Sequence, residues 1–338
     1  MSGPLNIVAR LHAYPPDHNA GAEWALHEML RALVQRGHEV RVLLSRPAAS
    51  REPYDLDGVQ VVPHGVGDEE RFAKAVRQAD AVVSHLENVP GAASLARGYG
   101  VPLIVMCHNT FDLTWKPMRR GSTALAVVNS QWMLAKADAA FKGSVQRPGR
   151  MLVVRPPVWA AEYRTRPGDC ITLVNCTMSK GAGVLAELAE RMPERKFLAV
   201  RGSYGEQQPP NLDNVLVLDQ MPGRQMRDEV YARTRLLLMP SDYESWGRVG
   251  VEAMASGIPV LAHPTDGLVE SLGSAGVFCD RDDADAWQAA IESLDARDAY
   301  RAASRKAKAR SKQLDPAADL AAWCEAVEGV ARARTAAR

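Results

Sequence analysis

The sequence lacks the features that would mark a membrane-spanning, disulfide-bonded or zinc-binding protein. None of its apolar runs approaches the roughly 20 residues that a transmembrane helix needs. The five cysteines are an odd number without a C-x-x-C pair, which argues against a disulfide framework and a zinc site. The apolar run at residues 5–9 is too short for the core of a signal peptide. We therefore expect a cytoplasmic protein without a bound metal.

The chain also has almost no net charge. Its 41 basic and 40 acidic residues leave a formal charge of +1, so no overall field attracts nucleic acid or an anionic membrane. The two parts differ, however. Residues 1–160 carry 18 basic and 14 acidic residues, or +4, whereas the remainder carries 23 and 26, or −3. A mildly basic first part suits an anionic ligand.

Short apolar runs alternate with amphipathic helical stretches along the whole chain, a pattern typical of parallel sheets covered by helices. A stretch with three prolines and a glycine at residues 156–168 separates two similar series of these elements. We predict an α/β fold with two Rossmann-like doubly wound domains, at residues 1–160 and 161–315, followed by a helix at 316–338. The predicted strands lie at residues 5–11, 38–44, 81–83, 103–106, 124–128, 151–154, 171–174, 197–200, 215–218, 236–239 and 258–261.

The most informative segment, residues 240–260, contains two acids eight positions apart. Glu244 follows a predicted strand and precedes a helix start near Gly247, and Glu252 lies about two turns along that helix. Ligands bind at the carboxyl ends of parallel strands, and a helix start offers free N–H groups to an anion such as a diphosphate. Carboxylates accept hydrogen bonds from paired hydroxyls. On spacing alone, however, such glutamates are more often ordinary solvated helix residues.

The frame around these acids resembles the signature of retaining GT-B glycosyltransferases of the GT4 type. Pro-Ser stands before Glu244, and Ala-Met-Ala-x-Gly-x-Pro-Val follows Glu252. The resemblance implies two Rossmann-like domains that face a cleft, with the helix at 316–338 crossing back to the first domain. It implies transfer of a sugar from a UDP- or GDP-sugar, such as UDP-glucose, to an acceptor hydroxyl. Anomeric configuration would be retained, with no cofactor and no metal.

The resemblance also assigns two catalytic residues. Glu244 would orient the sugar, and His108, at the end of a predicted strand, would contact the sugar near the reacting carbon. No covalent nucleophile is implied, because the departing phosphate is thought to accept the acceptor proton on the same face of the sugar. Fixed hydrogen-bond donors would stabilise the charge that grows on the leaving group.

Most residues to which the resemblance assigns a role would bind the donor. The implied donor contacts are Gly21, Lys180, Gly202, Met221, Ser245, Trp246, Gly247 and Glu252. Two positions depart from the family pattern: Ala20 replaces a glycine of the family's Gly-Gly-x-Glu loop, and Asn175 replaces an arginine that binds the diphosphate. Arg201 and Arg248 are candidates to supply the missing cation.

The acceptor is not defined by the sequence. His18, Lys116, Arg119 and Arg120 are candidate acceptor-side residues, and the three cations would suit an anionic acceptor. A lipid or polysaccharide precursor or a small molecule is expected, with a modified base in DNA or a protein as alternatives. The basic run at residues 305–312 fits a solvated helix face better than a contact with nucleic acid or anionic lipid.

Two other functions compete with the transferase. A GT-B epimerase or phosphorylase would lack this Glu-x7-Glu frame, and a phosphorylase would also need a cofactor lysine that has no candidate here. A non-catalytic protein that binds sugar nucleotides would be expected to have lost Glu244, Lys180 or His108, and all three are present. The sequence does not indicate an oligomeric state.

Overall fold

The structure is a computed structural model that describes residues 3–119, 123–144 and 146–336. Their contacts divide the chain into two compact units. The first unit comprises the described parts of residues 1–18, 22–157 and 317–338. The second comprises residues 19–21 and 158–316, so the short segment 19–21 groups with the second unit although it lies early in the chain.

The described residues contain fourteen strands. They are β1 (Asn6–Leu11), β2 (Glu39–Leu44), β3 (Tyr54–Leu56), β4 (Val59–Val62), β5 (Ala81–His85), β6 (Leu103–Cys107), β7 (Leu125–Val128), β8 (Arg150–Val153), β9 (Cys170–Val174), β10 (Phe197–Val200), β11 (Val215–Leu218), β12 (Thr234–Met239), β13 (Val260–Ala262) and β14 (Gly276–Phe278). Each strand predicted from an apolar run is present, with ends that differ by one or two residues.

Twelve α-helices are present in the same part of the chain. They are α1 (Gly21–Gln35), α2 (Asp68–Gln78), α3 (Val89–Tyr99), α4 (Asp112–Trp115), α5 (Gln131–Ala140), α6 (Ala160–Tyr163), α7 (Ala182–Arg191), α8 (Arg248–Ala255), α9 (Asp266–Leu272), α10 (Ala284–Ser293), α11 (Arg297–Gln313) and α12 (Ala317–Ala336). Among these helices, none combines the length and the apolar composition that a membrane crossing requires.

The sheet of the first unit has the strand order β3-β4-β2-β1-β5-β6-β7-β8 and is parallel except at its β3 edge. Its central strands consist almost wholly of buried apolar residues, as in β6 (Leu-Ile-Val-Met-Cys), because helices cover both faces of a parallel sheet. After β1 the chain builds one side of the sheet with β2, β3 and β4, and it then builds the other side with β5 to β8. The crevice between the carboxyl ends of β1 and β5 is therefore the topological switch point.

The sheet of the second unit has the order β11-β10-β9-β12-β13-β14, and its neighbouring strands pair in parallel. This is the Rossmann strand order, with its switch point between β9 and β12. Leu237 and Met239 belong to one core cluster, whereas Leu236 and Leu238 belong to another. Successive side chains therefore pack on opposite faces, as the predicted doubly wound sheet requires.

The C-terminal helix α12 packs in the first unit. The Trp323 indole N–H donates a hydrogen bond of 2.8 Å to the Met29 carbonyl oxygen. Glu328 on the same helix forms an ion pair with Arg36 (2.9 Å) and lies 3.1 Å from the His38 ring. These contacts bind the end of the chain to α1 and to the turn that follows it.

Candidate functional site

The switch point of the second unit brings together two loops that are far apart in the sequence. One loop follows β9 and contains Lys180, and the other follows β12 and contains Glu244. Because β9 and β12 are paired in parallel, their carboxyl ends lie side by side. Among open α/β sheets this is the usual position of a bound ligand.

Lys180 and Glu244 form an ion pair at this edge. The Lys180 Nζ donates to Glu244 Oε1 at 2.6 Å and to the Tyr243 carbonyl oxygen at 3.3 Å. The Ser241 hydroxyl donates to the same carboxylate oxygen at 3.0 Å. Both charged side chains are less than a third exposed. A cation and an acceptor-only group thus stand together where a sugar diphosphate would need both.

Two left-handed glycines allow the loops to come this close. Gly181 has φ +99°, and a Cβ built on it would lie 2.1 Å from Pro240 Cγ. Gly247 has φ +79°, and its Cβ would lie 2.3 Å from Leu268 Cδ2. Any larger residue would both adopt a disfavoured backbone conformation and collide with the neighbouring side chain. Gly247 also places the start of α8 directly after the Glu244 loop.

Glu252 lies in the buried face of α8 and is held by Tyr231, Arg248 and Tyr163. The Tyr231 hydroxyl donates to Glu252 Oε2 at 2.6 Å, and the Arg248 Nε lies 3.2 Å from Oε1. Arg248 is itself buried and donates to the Tyr163 hydroxyl at 2.9 Å. Burial raises the pKa of Glu252, whereas the Arg248 charge and the Tyr231 hydrogen bond oppose that rise.

Arg281 is a site residue that the sequence analysis missed. Its guanidinium donates to the Ser179 carbonyl oxygen at 3.0 Å and also to the carbonyl oxygens of Met178 and Pro240. It therefore fastens the Lys180 loop to the Glu244 loop. No motif surrounds Arg281, so only the tertiary structure reveals this positioning role.

Other predicted donor residues occupy the same unit but offer different groups. Gly202 donates its backbone N–H to the Gln207 side chain at 2.7 Å, and Met221 is partly buried against the core. Trp246 is buried in that core, which leaves only its backbone for a ligand. Ser245 precedes it in the loop, and Gly21, in the segment that groups with this unit, lies near Arg248.

Both candidates for the missing phosphate cation already contact acids. Arg248 is buried and paired with Glu252, so its charge is committed inside the unit. Arg201 lies 3.4 Å from Asp219, and both side chains are substantially exposed. Arg201 is therefore the freer of the two to turn toward a phosphate, because a surface pair of this kind stabilises little.

The switch point of the first unit contains three histidines, and an ion pair between Arg46 and Glu87 lies beside them. His12 follows β1, His85 ends β5 and His108 follows β6, so they come from three adjacent strands. The rings of His12 and His85 stack with centroids 4.8 Å apart, and the rings of His85 and His108 meet edge to face at 5.2 Å. Glu23 Oε1 lies 3.6 Å from His12 Nε2.

Burial keeps two of these rings uncharged. Burial lowers the pKa of His108 to about 4, with a smaller contribution from His12, and burial also lowers the pKa of His85 well below its usual range, with smaller contributions from His108 and His12. His85 is 2% exposed, and neither of its ring nitrogens has a hydrogen-bond partner among the described residues. Unsatisfied buried groups are costly and cluster at functional sites.

The predicted acceptor-side residues that the structure describes contact their own surroundings. Lys116 pairs with Asp112 at 2.6 Å, and Arg119 donates to the Ala140 carbonyl oxygen at 2.7 Å. His18 is partly exposed and donates its backbone N–H to Tyr14. Arg120 lies outside the described residues.

No group of three or more His, Cys, Asp or Glu side chains is arranged to hold a metal ion within the described ranges. The charged groups at the second switch point are a lysine and glutamates, which bind organic anions and hydroxyls. The histidines of the first unit stack on each other, which is a geometry of ring contact and not of shared ligation.

Comparisons with known proteins agree with this arrangement. The family model "Glycosyl transferases group 1" matches residues 207–311, and "Glycosyl transferase 4-like domain" matches residues 20–144. The chain is 25% identical to glycogen synthase of Mycobacterium tuberculosis over 92% of this chain and 90% of that protein. It is 31% identical to D-inositol 3-phosphate glycosyltransferase of Segniliparus rotundus over 46% of this chain and 31% of that protein.

Solved structures with the same fold are also found. Sucrose-phosphate synthase from Thermosynechococcus elongatus has a TM-score of 0.78 and 16% identity, covering 98% of this chain and all of that one. Anabaena Alr3699/HepE in complex with UDP-glucose has a TM-score of 0.77 and 17% identity, covering 96% and 99%. These likenesses confirm the predicted α/β fold with two Rossmann-like domains.

Proposed function

Because the chain belongs to the GT4-type group 1 glycosyltransferases, we propose that it transfers a sugar from a nucleoside-diphosphate sugar to an acceptor hydroxyl. Retention of anomeric configuration and independence of metal ions are parts of this proposal. The observation that carries it is the Lys180–Glu244 pair at the switch point of the second unit, directly before the start of α8.

The donor would interact in two ways with the charged groups at the carboxyl ends of β9 and β12. Lys180, at the end of the β9 loop, would exchange part of its contact with Glu244 for a contact with the diphosphate. The backbone N–H groups at Ser245–Gly247 add the positive end of a helix dipole. Both stabilise the negative charge that grows on the departing phosphate. Glu244, freed from Lys180, would then accept hydrogen bonds from the sugar hydroxyls.

Glu252 would hold the ribose from its fixed position on α8. Tyr231, Arg248 and Tyr163 each contact this carboxylate, which has about four lone-pair sites, so some acceptor capacity remains. Because these neighbours fix the carboxylate in advance, little conformational freedom is lost on binding. Gly202, Met221 and Gly21 would supply backbone contacts to the nucleotide.

His108 would contact the transferred sugar, and its low pKa indicates a neutral imidazole at physiological pH. A neutral ring can donate and accept one hydrogen bond each without adding charge near the reacting carbon. The neutral histidines favour an uncharged acceptor hydroxyl on this side, as in a lipid or polysaccharide precursor or a small molecule. Arg119 already donates to a neighbouring carbonyl oxygen, which weakens the case for DNA or an anionic acceptor, whereas Lys116 is only in an exposed pair with Asp112 and stays available.

The donor is tested by a thermal-shift panel of UDP-, GDP- and ADP-sugars with the full chain. We expect one nucleotide sugar to raise the melting temperature saturably, because a specific ligand stabilises the folded state by mass action. Nucleotide release measured with and without candidate acceptors separates an enzyme from a binding protein. If the best donor stabilises the chain but no nucleotide is released with any acceptor, the protein is a non-catalytic binder.

Stereochemistry and metal use need separate measurements on the product-forming reaction. The anomeric proton coupling of the product, read by NMR, should match that of the donor if configuration is retained. Activity should persist after exhaustive dialysis against a chelator. An inverted product, or activity that returns only on adding a divalent cation, would refute the corresponding part of the proposal.

A further inference from the structure

A cavity of about 500 Å³ lies in the second unit beside the carboxyl end of α8. Three cations line it: Arg164 from the segment after α6, and Lys308 and Lys312 from α11. Hydroxyl-bearing residues complete the polar wall, among them Thr165, Ser256 and Ser311. The proposed donor site lies at the other end of α8, which is eight residues long, or about 12 Å.

The cations of this cavity are not neutralised by the protein. No carboxylate lines the cavity, and within the described ranges none of the three forms an ion pair. Lys308 and Lys312 stand four positions apart on one face of α11, a spacing at which like charges repel. The helix carries seven basic residues and one acid, so its own charges do not offset this repulsion.

Contacts of Gly257 and Ser256 fix part of the wall, whereas the side chains of Arg164, Lys308 and Lys312 are exposed. Gly257 has φ +75°, and a Cβ built on it would lie 2.5 Å from Lys308 Cε, so the lysine stem rests directly on the backbone of that turn. The Ser256 hydroxyl donates to the Tyr163 carbonyl oxygen at 2.9 Å and accepts from the Thr165 backbone N–H at 2.9 Å. These bonds join the Arg164 segment to the end of α8.

An ordinary solvated helix face explains part of this arrangement but not all of it. The carboxyl end of α8 carries a partial negative charge that attracts one nearby cation. Three cations, one of them from a different segment of the chain, exceed what that half charge can balance. A polar cavity of this volume is also in the range of small-molecule sites.

We propose that this cavity binds a phosphorylated ligand, with the phosphate held by Arg164, Lys308 and Lys312. Arginine and lysine bind phosphate through charge-assisted hydrogen bonds. The volume exceeds that of a phosphate alone, so an organic carrier fits beside it. The carrier is either a soluble phosphate ester or a lipid headgroup, and the experiment below separates the two.

The test uses inorganic phosphate as the probe and the full chain carrying Lys180→Gln. That background removes one cation of the proposed donor site and so weakens phosphate binding at the diphosphate position, and the Lys308→Gln change then assigns the binding that remains. Calorimetric titration at constant ionic strength should give saturable binding. Adding Lys308→Gln should weaken it about tenfold, since one charge-assisted hydrogen bond is lost. The matched control is Lys306→Gln, an exposed cation on the same helix outside the cavity.

The outcomes are distinct. An equal weakening by Lys306→Gln would show a general charge effect and overturn the proposal, as would no saturable binding in the Lys180→Gln background. Flotation with phosphatidylcholine vesicles that contain phosphatidic acid, lost on Lys308→Gln, would assign the carrier to a lipid. Phosphate binding without vesicle binding assigns it to a soluble ester. A failure of Glu244→Gln to reduce transfer would refute the proposed function and leave this site untouched.

Discussion

The two units share a doubly wound parallel sheet but carry different residues at their switch points. In the second unit, the crevice between β9 and β12 holds the Lys180–Glu244 ion pair. In the first unit, the crevice between β1 and β5 holds His12 and His85, whose rings stack. The fold therefore fixes where a ligand site lies, whereas the residues at the strand ends decide what it can bind.

This difference is consistent with our proposal that the second unit binds the donor and that the first unit binds the acceptor. A diphosphate needs cations and a helix start, and the second unit provides both. A hydroxyl acceptor needs neutral groups that can donate and accept, and burial keeps His85 and His108 in that form. Each prediction below changes a residue of one of the two units, and the predictions run from the largest expected effect to the smallest.

Replacing Glu244 by glutamine should have the largest effect on activity. The amide keeps the shape but loses the charge and one acceptor, so we expect kcat/KM for transfer to fall about 100-fold or more with the melting temperature almost unchanged. Glu190→Gln, an exposed acid on α7, serves as the control. If Glu244→Gln were as active as that control, the second switch point would not be the donor site.

Replacing Lys180 by glutamine should reduce kcat/KM about 10- to 100-fold, because one cation that stabilises the departing diphosphate is lost. Lys180→Arg should recover part of the activity, since the charge is kept. The matched change is Lys196→Gln, which removes an exposed cation paired with Asp169. A loss that Lys180→Arg does not restore at all would assign the lysine a purely structural role.

Tyr231→Phe tests whether the charged carboxylate of Glu252 depends on its neighbour. The change removes the 2.6 Å hydrogen bond to a buried carboxylate, so we expect the free energy of unfolding in urea to fall by about 1–3 kcal/mol. The donor KM should rise as well. Tyr300→Phe removes a 3.2 Å hydrogen bond to a backbone carbonyl and should cost less. Equal losses in the two variants would contradict this account of Glu252.

The neutral histidines predict a pH dependence of stability. Below pH 6.5 the unfolded chain binds protons that the folded chain does not bind at His108 until about pH 4, so the free energy of unfolding falls over that interval. His108→Gln should lessen the fall between pH 7 and 4.5 by about 1–2 kcal/mol, allowing for the partial exposure of the ring. If the free energy of unfolding depended on pH in the same way in His108→Gln and in the wild type, His108 would not be held neutral in the folded chain.

Prediction from the sequence succeeded where apolar runs were long and failed where strands were short. The hairpin β3–β4 was missed because its strands are short and contain polar residues, and β14 was missed because it is only three residues long and partly exposed. The Glu244–Glu252 frame located the helix start because its residues lie close together in the sequence, on the loop before α8 and on α8 itself. Arg281 was missed because it contacts loops that precede it by about 40 and 100 positions.

The sequence by itself determined the alternation of strands and helices, the two-unit organisation and the loops that carry Lys180, Glu244 and His108, because these depend on local periodicity and short motifs. Only the tertiary structure decided that Lys180 pairs with Glu244, that Tyr231 and Arg248 hold Glu252, and that Arg164 joins the lysines of α11. Those contacts arise when strand ends and helices from distant segments pack together, and their burial then sets the pKa values of the groups involved.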